Sequence, residues 1–162
     1  MAKTKIPVTP ATRLLRQLKI DYTPYLYPYQ EHGGTAVSAR ELAVAEHSII
    51  KTLVMEDDQH RPLLVLMHGD REVSTKELAR ILGVKSVAPC TPEVANKHTG
   101  YRVGGTSPFA TQKELPVYLE ETILDLDRIY LNGGKRGFLI AIAPRVLIEH
   151  LKPTPVNVAI SR

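Results

Sequence analysis

The sequence predicts an α/β fold of the mixed α+β kind, a single domain with one mixed sheet and surrounding helices. Its 162 residues suffice for one domain that buries its own core. Hydrophobic residues make up 43% of the chain and charged residues 23%, the balance of an ordinary globular protein. Helical and strand-like segments follow one another without regular βαβ alternation, and no repeat or low-complexity linker divides them.

Helix-start signals place five helices. In Thr9-Pro10 and Thr91-Pro92 a capping residue precedes a proline, which is favoured at the first helical position. Two Ser-x-x-Glu capping boxes, Ser38 to Glu41 and Ser74 to Glu77, mark further starts. The predicted helices run from Thr9-Pro10 to about Lys19, from Ser38 through Leu42 and Val44, from Ser74 to the terminating Gly83, from Thr91-Pro92, and from Pro144 to about Leu151.

Strand-like segments lie between these helices. Residues 22–29 are strand-like, but Pro24 and Pro28 favour an edge position or irregular backbone. Residues 49–56 and 62–67 are apolar runs separated by a polar segment, which predicts a hairpin. Further strands are expected at 117–119, 128–131 and 138–143.

The charge and composition narrow the class of partner. The net charge of +4 is compatible with a polyanionic partner but does not require one, and the chain has no tryptophan for a base-stacking platform. No window approaches the roughly 18 apolar residues of a membrane span, and Met1 to Lys5 are not followed by the apolar stretch of a secretory leader. We therefore expect a cytoplasmic protein.

Residues 99–110 are the most informative segment, because they are too polar and too rich in glycine to be core packing. Glycines permit positive φ and let a ligand approach backbone N–H groups closely. The segment contains Gly100, Gly104 and Gly105, the hydroxyls of Thr106 and Ser107, and Pro108 at its exit. The pattern predicts a rigid cradle of hydrogen-bond donors.

A second glycine cluster, residues 132–137, supplies Gly133 and Gly134 together with the cations Lys135 and Arg136. Two interpretations stay open for it. Asn132-Gly133 is a good hairpin-turn signal, and the cluster is equally suited to line the same pocket as residues 99–110.

Lys51 stands in an apolar strand, on the same face as Ile49, Leu53 and Met55 by period-two alternation. From the residues alone, a lysine that protects a strand edge or extends its ammonium to solvent is the favoured interpretation. A functional lysine in a pocket is the alternative.

Other chemistry has weaker support. Cys90 is the only cysteine, so we expect no internal disulfide or thiolate cluster, and its place before a helix cap favours a buried thiol over a nucleophile. The histidines and carboxylates lack metal-site spacing, so no metal and no cofactor are expected. The pairs Asp57-Asp58 and Glu120-Glu121 are interpreted as solvated.

Three segments carry a family resemblance. Residues 101–108, residues 129–137 and the upstream Lys51-Thr52-Leu53-Val54 resemble the YbaK/EbsC family of aminoacyl-tRNA deacylases, relatives of the editing domain in bacterial prolyl-tRNA synthetases. The resemblance runs from about Thr9 to about Leu151. It implies an editing domain over residues 9–162 after an N-terminal tail of residues 1–8, and a sheet curled into a barrel.

The same resemblance implies a trans-acting hydrolase that deacylates mischarged tRNA, most readily Cys-tRNA(Pro), with Ala-tRNA(Pro) or another small residue as the alternative. The tRNA acceptor end is the implied partner, with prolyl-tRNA synthetase a further one. A non-catalytic RNA-binding or synthetase-docking module is the rival interpretation. Phe109-Ala110 and Asn132 depart from residues common in relatives, which leaves the edited amino acid open.

The resemblance also assigns roles. Lys51 matches the strand lysine on which the family's deacylation depends, which we expect to position substrate rather than act as a base. Ester hydrolysis needs donors for the oxyanion, which backbone N–H groups of residues 99–110, here called the glycine loop, could supply. The implied catalytic residues are Lys51, Gly104, Gly105 and Ser107, and the implied substrate-binding residues are Tyr27 (with Tyr25 or Tyr29 as alternatives), Thr106, Pro108, Gly133, Gly134, Lys135 and Arg136.

Overall fold

The computed structural model describes residues 5–162. The helices are α1 (Pro10–Gln17), α2 (Gly34–Leu42), α3 (Thr75–Leu82), α4 (Pro92–Thr99) and α5 (Arg145–Leu151). The strands are β1 (Thr23–Leu26), β2 (Ile49–Asp57), β3 (Pro62–His68), β4 (Arg71–Val73), β5 (Val87–Pro89), β6 (Val117–Glu120), β7 (Ile129–Lys135), β8 (Phe138–Ile142), β9 (Thr154–Val156) and β10 (Ala159–Ser161).

Eight of these strands form one mixed sheet in the order β1-β8-β7-β2-β3-β6-β9, with β5 paired to β2 beside that path. The pairs β2–β7, β3–β6 and β6–β9 are parallel, whereas β1–β8, β7–β8, β2–β3 and β2–β5 are antiparallel. The predicted mixed sheet is confirmed. The predicted barrel closure is not: among residues 5–162 the end strands β1 and β9 do not pair with each other, so the sheet is open.

The core is divided by the sheet, with β2 contributing to both sides. Even-numbered residues such as Ile50 and Val54 pack into the largest apolar cluster, against α1, α4 and α5. Odd-numbered residues lie on the opposite face of the sheet, where Met55 packs in a cluster with α3 and Ile49 packs in a cluster with α2. The alternation predicted for this strand is therefore confirmed.

Helix caps behave as their residue types predict in three cases and fail in one. Thr9, Ser74 and Thr91 each accept a hydrogen bond from a backbone N–H in the first turn of α1, α3 and α4. The predicted cap at Ser38 is wrong. The helix α2 begins at Gly34, and Ser38 lies inside it with its hydroxyl donating to the carbonyl of Thr35.

Two interpretations of carboxylates as solvated are also wrong. Asp57 is buried because its carboxylate closes the β2–β3 turn, accepting from the N–H groups of Gln59 and Arg61. Glu120 is fully buried and accepts from the N–H groups of Val158 and Ala159. In each case the carboxylate satisfies backbone donors that have no strand partner.

The short strands β4, β9 and β10 were not predicted, because three-residue strands carry too little periodicity. The division into a tail of residues 1–8 and a domain of residues 9–162 stays a prediction, and residues 1–4 lie outside the described residues. In the described part of the chain, no helix has the length and apolar character needed to cross a membrane.

Candidate active site

One edge of β2 is left partly uncovered. The strand pairs with β3 over residues 50–56, while its other edge is shared by β7 at residues 49–50 and by β5 at residues 55–57. Residues 51–53 lie between these two neighbours. We call this stretch the β2 gap, and unpaired strand edges of this kind offer backbone groups to a ligand.

Lys51 lies in the β2 gap, on the outer face between the clusters packed against α2 and α3. Its Nζ donates to the carbonyl oxygen of Arg71 at 2.5 Å. Burial lowers the pKa of Lys51, and the nearby carboxylate of Glu72 opposes this shift. The ammonium has thus lost part of its hydration, which strengthens its demand for an oxygen acceptor.

Asn132 joins the two glycine clusters beside the gap. The parallel pairing of β2 with β7 ends at Ile50 and Leu131, and the pairing of β7 with β8 is irregular between Asn132 and Lys135. The Asn132 amide donates to the carbonyl of Gly104 at 3.0 Å, and its oxygen accepts from the N–H groups of Gly134 and Lys135 at 2.7 and 3.0 Å. The two clusters are therefore in direct contact.

The hairpin-turn interpretation of residues 132–137 is right only for their end. Residues 132–135 belong to β7, and Arg136-Gly137 makes the turn to β8. Here the glycines provide close packing: a Cβ at Gly133 would lie 2.4 Å from the Phe138 ring, and one at Gly134 would lie 2.9 Å from Thr9 and from Tyr101.

Gly104 and Gly105 are each required to be glycine for a different structural reason. Gly104 has a φ of +88°, in the left-handed region that favours glycine. Gly105 has no such φ, but a Cβ there would lie 2.8 Å from the backbone nitrogen of Arg136 and 3.0 Å from the carbonyl carbon of Lys135. Positive φ at Gly105 was the expectation, whereas close backbone packing is what requires glycine.

The hydroxyls of the loop are turned inward. Ser107 is fully buried and its Oγ accepts from the N–H of Phe109 at 3.1 Å, while the Thr106 hydroxyl donates to the carbonyl of Arg102 at 3.3 Å. Pro108 is buried beside them. By contrast, no hydrogen bond among residues 5–162 uses the backbone N–H of Thr106 or Ser107. The donors that the loop can offer are its amides rather than its hydroxyls.

A surface cleft of about 470 Å³ collects several predicted substrate-binding residues. It is lined by Lys5, Pro7, Leu26, Tyr27, Pro28, Lys135, Arg136 and Gly137. Three of these side chains are cationic, and the exposed Lys135 ammonium has no ion-pair partner among residues 5–162. Lys51 and residues 104–108 do not line this cleft.

Arg136 connects the cleft to the glycine loop. Its Nε donates to the carbonyl of Val103 at 2.9 Å, one terminal nitrogen lies 3.6 Å from the Glu31 carboxylate, and its guanidinium stacks over the Tyr29 ring. Arg136 therefore links residues 132–137 to the glycine loop by a hydrogen bond, and it also contributes positive charge to the cleft.

The three candidate tyrosines take different positions. Tyr27 lines the cleft, and burial raises the pKa of its phenol. Tyr29 contacts Gly104, where an added Cβ would lie 2.8 Å from the phenol oxygen. Tyr25 points to Arg128, whose guanidinium donates to the Tyr25 oxygen at 2.7 Å. The predicted Tyr27 is thus retained at the cleft, with Tyr29 added at the loop.

Thr52, in the Lys51-Thr52-Leu53-Val54 segment, is a polar residue to which the sequence assigns no role. Its Oγ1 is buried and has no hydrogen-bond partner among the described residues. A buried hydroxyl without a partner costs stability unless a ligand or water satisfies it. Thr52 lies in the β2 gap on the strand face of Ile50 and Val54, opposite the face of Lys51, so its hydroxyl is not placed beside that ammonium.

Two groups of side chains could hold a metal ion by composition, namely His47, His68 and Asp70, and Glu56, Cys90 and His98. In the first group the imidazole nitrogens of His68 are engaged by the His47 carbonyl and by Thr122, each at 2.7 Å, and His47 Nδ1 lies 2.8 Å from Asp70. These side chains satisfy one another without an ion.

The comparison with known proteins identifies the family to which this fold belongs. The model of the aminoacyl-tRNA editing domain matches residues 31–149, so the chain belongs to that family. The resemblance to YbaK/EbsC proteins is thereby confirmed.

Relatives occur both as free-standing proteins and within larger enzymes. EbsC of Enterococcus faecalis, a proposed Cys-tRNA(Pro)/Cys-tRNA(Cys) deacylase, is 33% identical over 151 residues, which is 92% of each chain. The proline–tRNA ligase of Thermodesulfovibrio yellowstonii is 31% identical over 125 residues, covering 71% of this chain and 20% of that enzyme.

Solved structures show the same fold. A hypothetical protein superposes with a TM-score of 0.85 at 22% identity, covering 93% of this chain and 99% of that one. A proposed trans-editing enzyme for prolyl-tRNA synthetase superposes with a TM-score of 0.81 at 20% identity, covering 96% and 99% of the two chains.

Proposed function

We propose that the protein is a trans-acting cytoplasmic hydrolase that removes the wrong amino acid from mischarged tRNA. The observation that carries this proposal is the β2 gap, which leaves the half-buried Lys51 without a strand partner on one edge. In addition, Asn132 holds a glycine loop whose amides at residues 106 and 107 have no hydrogen-bond acceptor among residues 5–162. Membership of the editing-domain family supports the same reaction.

The reaction is hydrolysis of an ester. Water attacks the carbonyl carbon of the aminoacyl group, the bond to the terminal ribose oxygen breaks, and that oxygen leaves with a proton as the free hydroxyl of the tRNA. The amides of Thr106 and Ser107 are suited to hold the developing oxyanion, because preorganised backbone donors stabilise charge that appears in the transition state. An aminoacyl ester is reactive enough that no covalent nucleophile is needed.

Lys51 positions the substrate in this mechanism. Its ammonium is held by one carbonyl, which leaves further N–H donors for a ribose or phosphate oxygen or for the ester carbonyl. Correct placement of a reacting group is worth several orders of magnitude in rate. The lowered pKa of Lys51 has burial as its main cause, and we assign the lysine no proton transfer.

The cationic cleft at Tyr27 is the proposed contact for the tRNA acceptor end. Lys5, Lys135 and Arg136 are spaced along it, and phosphates are neutralised by such side chains. The partner is then tRNA(Pro), with prolyl-tRNA synthetase as the enzyme whose errors are corrected.

The substrate favoured is Cys-tRNA(Pro), since EbsC, of which the same activity is proposed, is 33% identical. Ala-tRNA(Pro) and other small residues are the competing substrates. The test is deacylation of tRNA(Pro) charged separately with Cys, Ala, Ser and Pro. We expect the Cys ester to be cleaved fastest and the Pro ester to survive; a fastest reaction with Ala would reassign the substrate.

A non-catalytic docking module is the rival from another class. It would bind tRNA or synthetase yet leave all four esters intact at stoichiometric enzyme. The presence of both Lys51 and the tight glycine loop favours catalysis, because docking alone requires neither.

A further inference from the structure

Three metal-ligating side chains meet away from the β2 gap. A carboxylate oxygen of Glu56, the thiol of Cys90 and an imidazole nitrogen of His98 all lie within 4.8 Å of one another. They come from β2, from the residue after β5 and from the last turn of α4. Their sequence spacing follows no metal motif, so only the tertiary structure brings them together.

The backbone holds these side chains in place. Pairing of Glu56 with Ala88 fixes β5 against β2, and the N–H of Cys90 donates to the carbonyl of Val54 at 3.0 Å. His98 is buried, and its carbonyl accepts from the N–H of Lys113 at 3.0 Å. The backbone thus holds the three potential metal ligands close together before any ion binds.

A nucleophilic use of this Cys–His–Glu group is disfavoured. Burial and the Glu56 carboxylate raise the pKa of the Cys90 thiol to about 11, so the neutral thiol predominates near neutral pH. A divalent cation reverses this preference, because it offsets the carboxylate charge and binds the thiolate directly.

We propose that Glu56, Cys90 and His98 form a Zn²⁺ site with a fourth position open to water. Sulfur, imidazole nitrogen and carboxylate oxygen are the three donor types that zinc takes in proteins. Zinc bonds of about 2.0–2.3 Å require donors roughly 3–4 Å apart, which side-chain rotation reaches from the present separation. Cys90 releases its thiol proton to solvent as the sulfur–zinc bond forms.

Two neighbouring side chains bear on this site. The ammonium of Lys113 lies 3.0 Å from Nδ1 of His98 and must turn away when the cation enters, which its exposed position allows. The imidazole of His60 lies 3.2 Å from the Glu56 carboxylate and is 83% exposed. The His60 side chain can therefore move away and leave the Glu56 carboxylate free to bind the ion.

The ion would fasten α4 to the sheet. His98 is two residues before Gly100, where α4 ends and the glycine loop begins. A metal bond at this point links the start of the loop to β2, in the strand that carries Lys51. The site is separate from the proposed hydrolytic groups and does not depend on their assignment.

Cobalt(II) titration of the metal-free protein tests the proposal. We expect one equivalent to bind with a thiolate-to-cobalt absorption band, to be displaced by Zn²⁺, and to disappear in Cys90→Ser. His98→Asn and Glu56→Gln should weaken binding at least about tenfold. His150→Asn, which changes a histidine outside the cluster, is the control and should bind as the parent does.

Lys113→Gln keeps the test decisive if a buried variant fails to fold, because it changes an exposed side chain. Removing this cation should tighten Zn²⁺ binding several-fold and increase the thermal shift that Zn²⁺ produces. The proposal is overturned if the parent gives no thiolate band. It is also overturned if His98→Asn binds cobalt as well as the parent, or if Lys113→Gln leaves the affinity unchanged.

Discussion

Lys51 shows how the surroundings of a single residue make it a candidate for a functional role. Its neighbours on the same face of β2 are apolar, as in a buried strand. The Lys51 side chain is nevertheless only half-buried, and its ammonium donates a hydrogen bond to the carbonyl of Arg71. From sequence, an edge-protecting lysine was favoured until the family resemblance reversed that interpretation. The structure places it among residues 51–53, which have no strand partner on the edge that β7 and β5 share.

Lys51→Ala should lower kcat/KM for deacylation at least about a hundredfold while the fold stays intact, since the lost group positions substrate. The measurement is steady-state kinetics with circular dichroism on the same sample. Lys76→Ala, on the exposed face of α3, is the matched control and should retain parent activity. Unchanged turnover in Lys51→Ala would remove the lysine from the mechanism.

Gly105→Ala should abolish most activity, because the new methyl would lie 2.8 Å from the backbone nitrogen of Arg136 and force the loop to move. Gly83→Ala is the contrasting variant. It has a φ of +70° but open space around the Cβ, so it should cost about 1 kcal/mol of stability and no activity. Kinetics and thermal melts on both variants separate steric displacement from backbone strain.

Ser107→Ala should have a smaller effect than Gly105→Ala. The Ser107 hydroxyl accepts from the N–H of Phe109 and faces away from solvent, so its loss removes one internal hydrogen bond, worth about 1 kcal/mol. The backbone amide proposed to serve the oxyanion remains. A loss of activity equal to that of Gly105→Ala, in a folded protein, would show that the hydroxyl itself takes part in the reaction.

At the scale of elements, buried polar groups join segments that periodicity treats separately. Glu120 ends β6 and binds the N–H groups of Val158 and Ala159, which fixes the start of β10. The strand β10 pairs with β4, whose Arg71 carbonyl holds Lys51. One carboxylate thus supports the element that orients the candidate catalytic lysine.

Glu120→Ala should destabilise the protein by about 1–3 kcal/mol for each of the two backbone donors that it leaves unpaired. Glu121→Ala, its exposed neighbour, should change stability by less than about 0.5 kcal/mol. Urea denaturation of both variants measures the difference. Equal stabilities would mean that water satisfies the two N–H groups and that the carboxylate does not hold β10.

At the scale of the whole molecule, the net charge is +4, and the lysines and arginines are scattered along the chain rather than clustered. The cleft at Tyr27 gathers Lys5, Lys135 and Arg136, but Arg136 is partly committed to the Val103 carbonyl and to Glu31. Contact with tRNA should therefore involve few phosphates.

The affinity for tRNA should fall with salt, with a log–log slope of roughly −0.7 for each phosphate neutralised on single-stranded RNA. With two or three contacts, the slope should lie between about −1.4 and −2.1. Lys135→Ala should reduce its magnitude by about one contact, whereas Lys85→Ala, on an exposed turn outside the cleft, should not. A salt-independent affinity would favour a small uncharged substrate over tRNA.

The sequence by itself determined most of the elements and the two glycine clusters. Helix caps such as Thr9, Ser74 and Thr91 act within one turn, and the alternation along β2 follows from strand geometry, so local pattern was sufficient. The family resemblance then named the residues of the candidate site, although it also implied a closed barrel that the open sheet does not show.

Only the tertiary structure decided which groups meet. The β2 gap arises because β7 and β5 cover different ends of one strand edge, and such pairing between distant segments leaves no mark in local periodicity. The same holds for the burial of Glu120, for the inward turn of the Ser107 hydroxyl and for the meeting of Cys90 with His98. Local sequence determines which groups are available, whereas long-range packing determines their distances and their exposure to water.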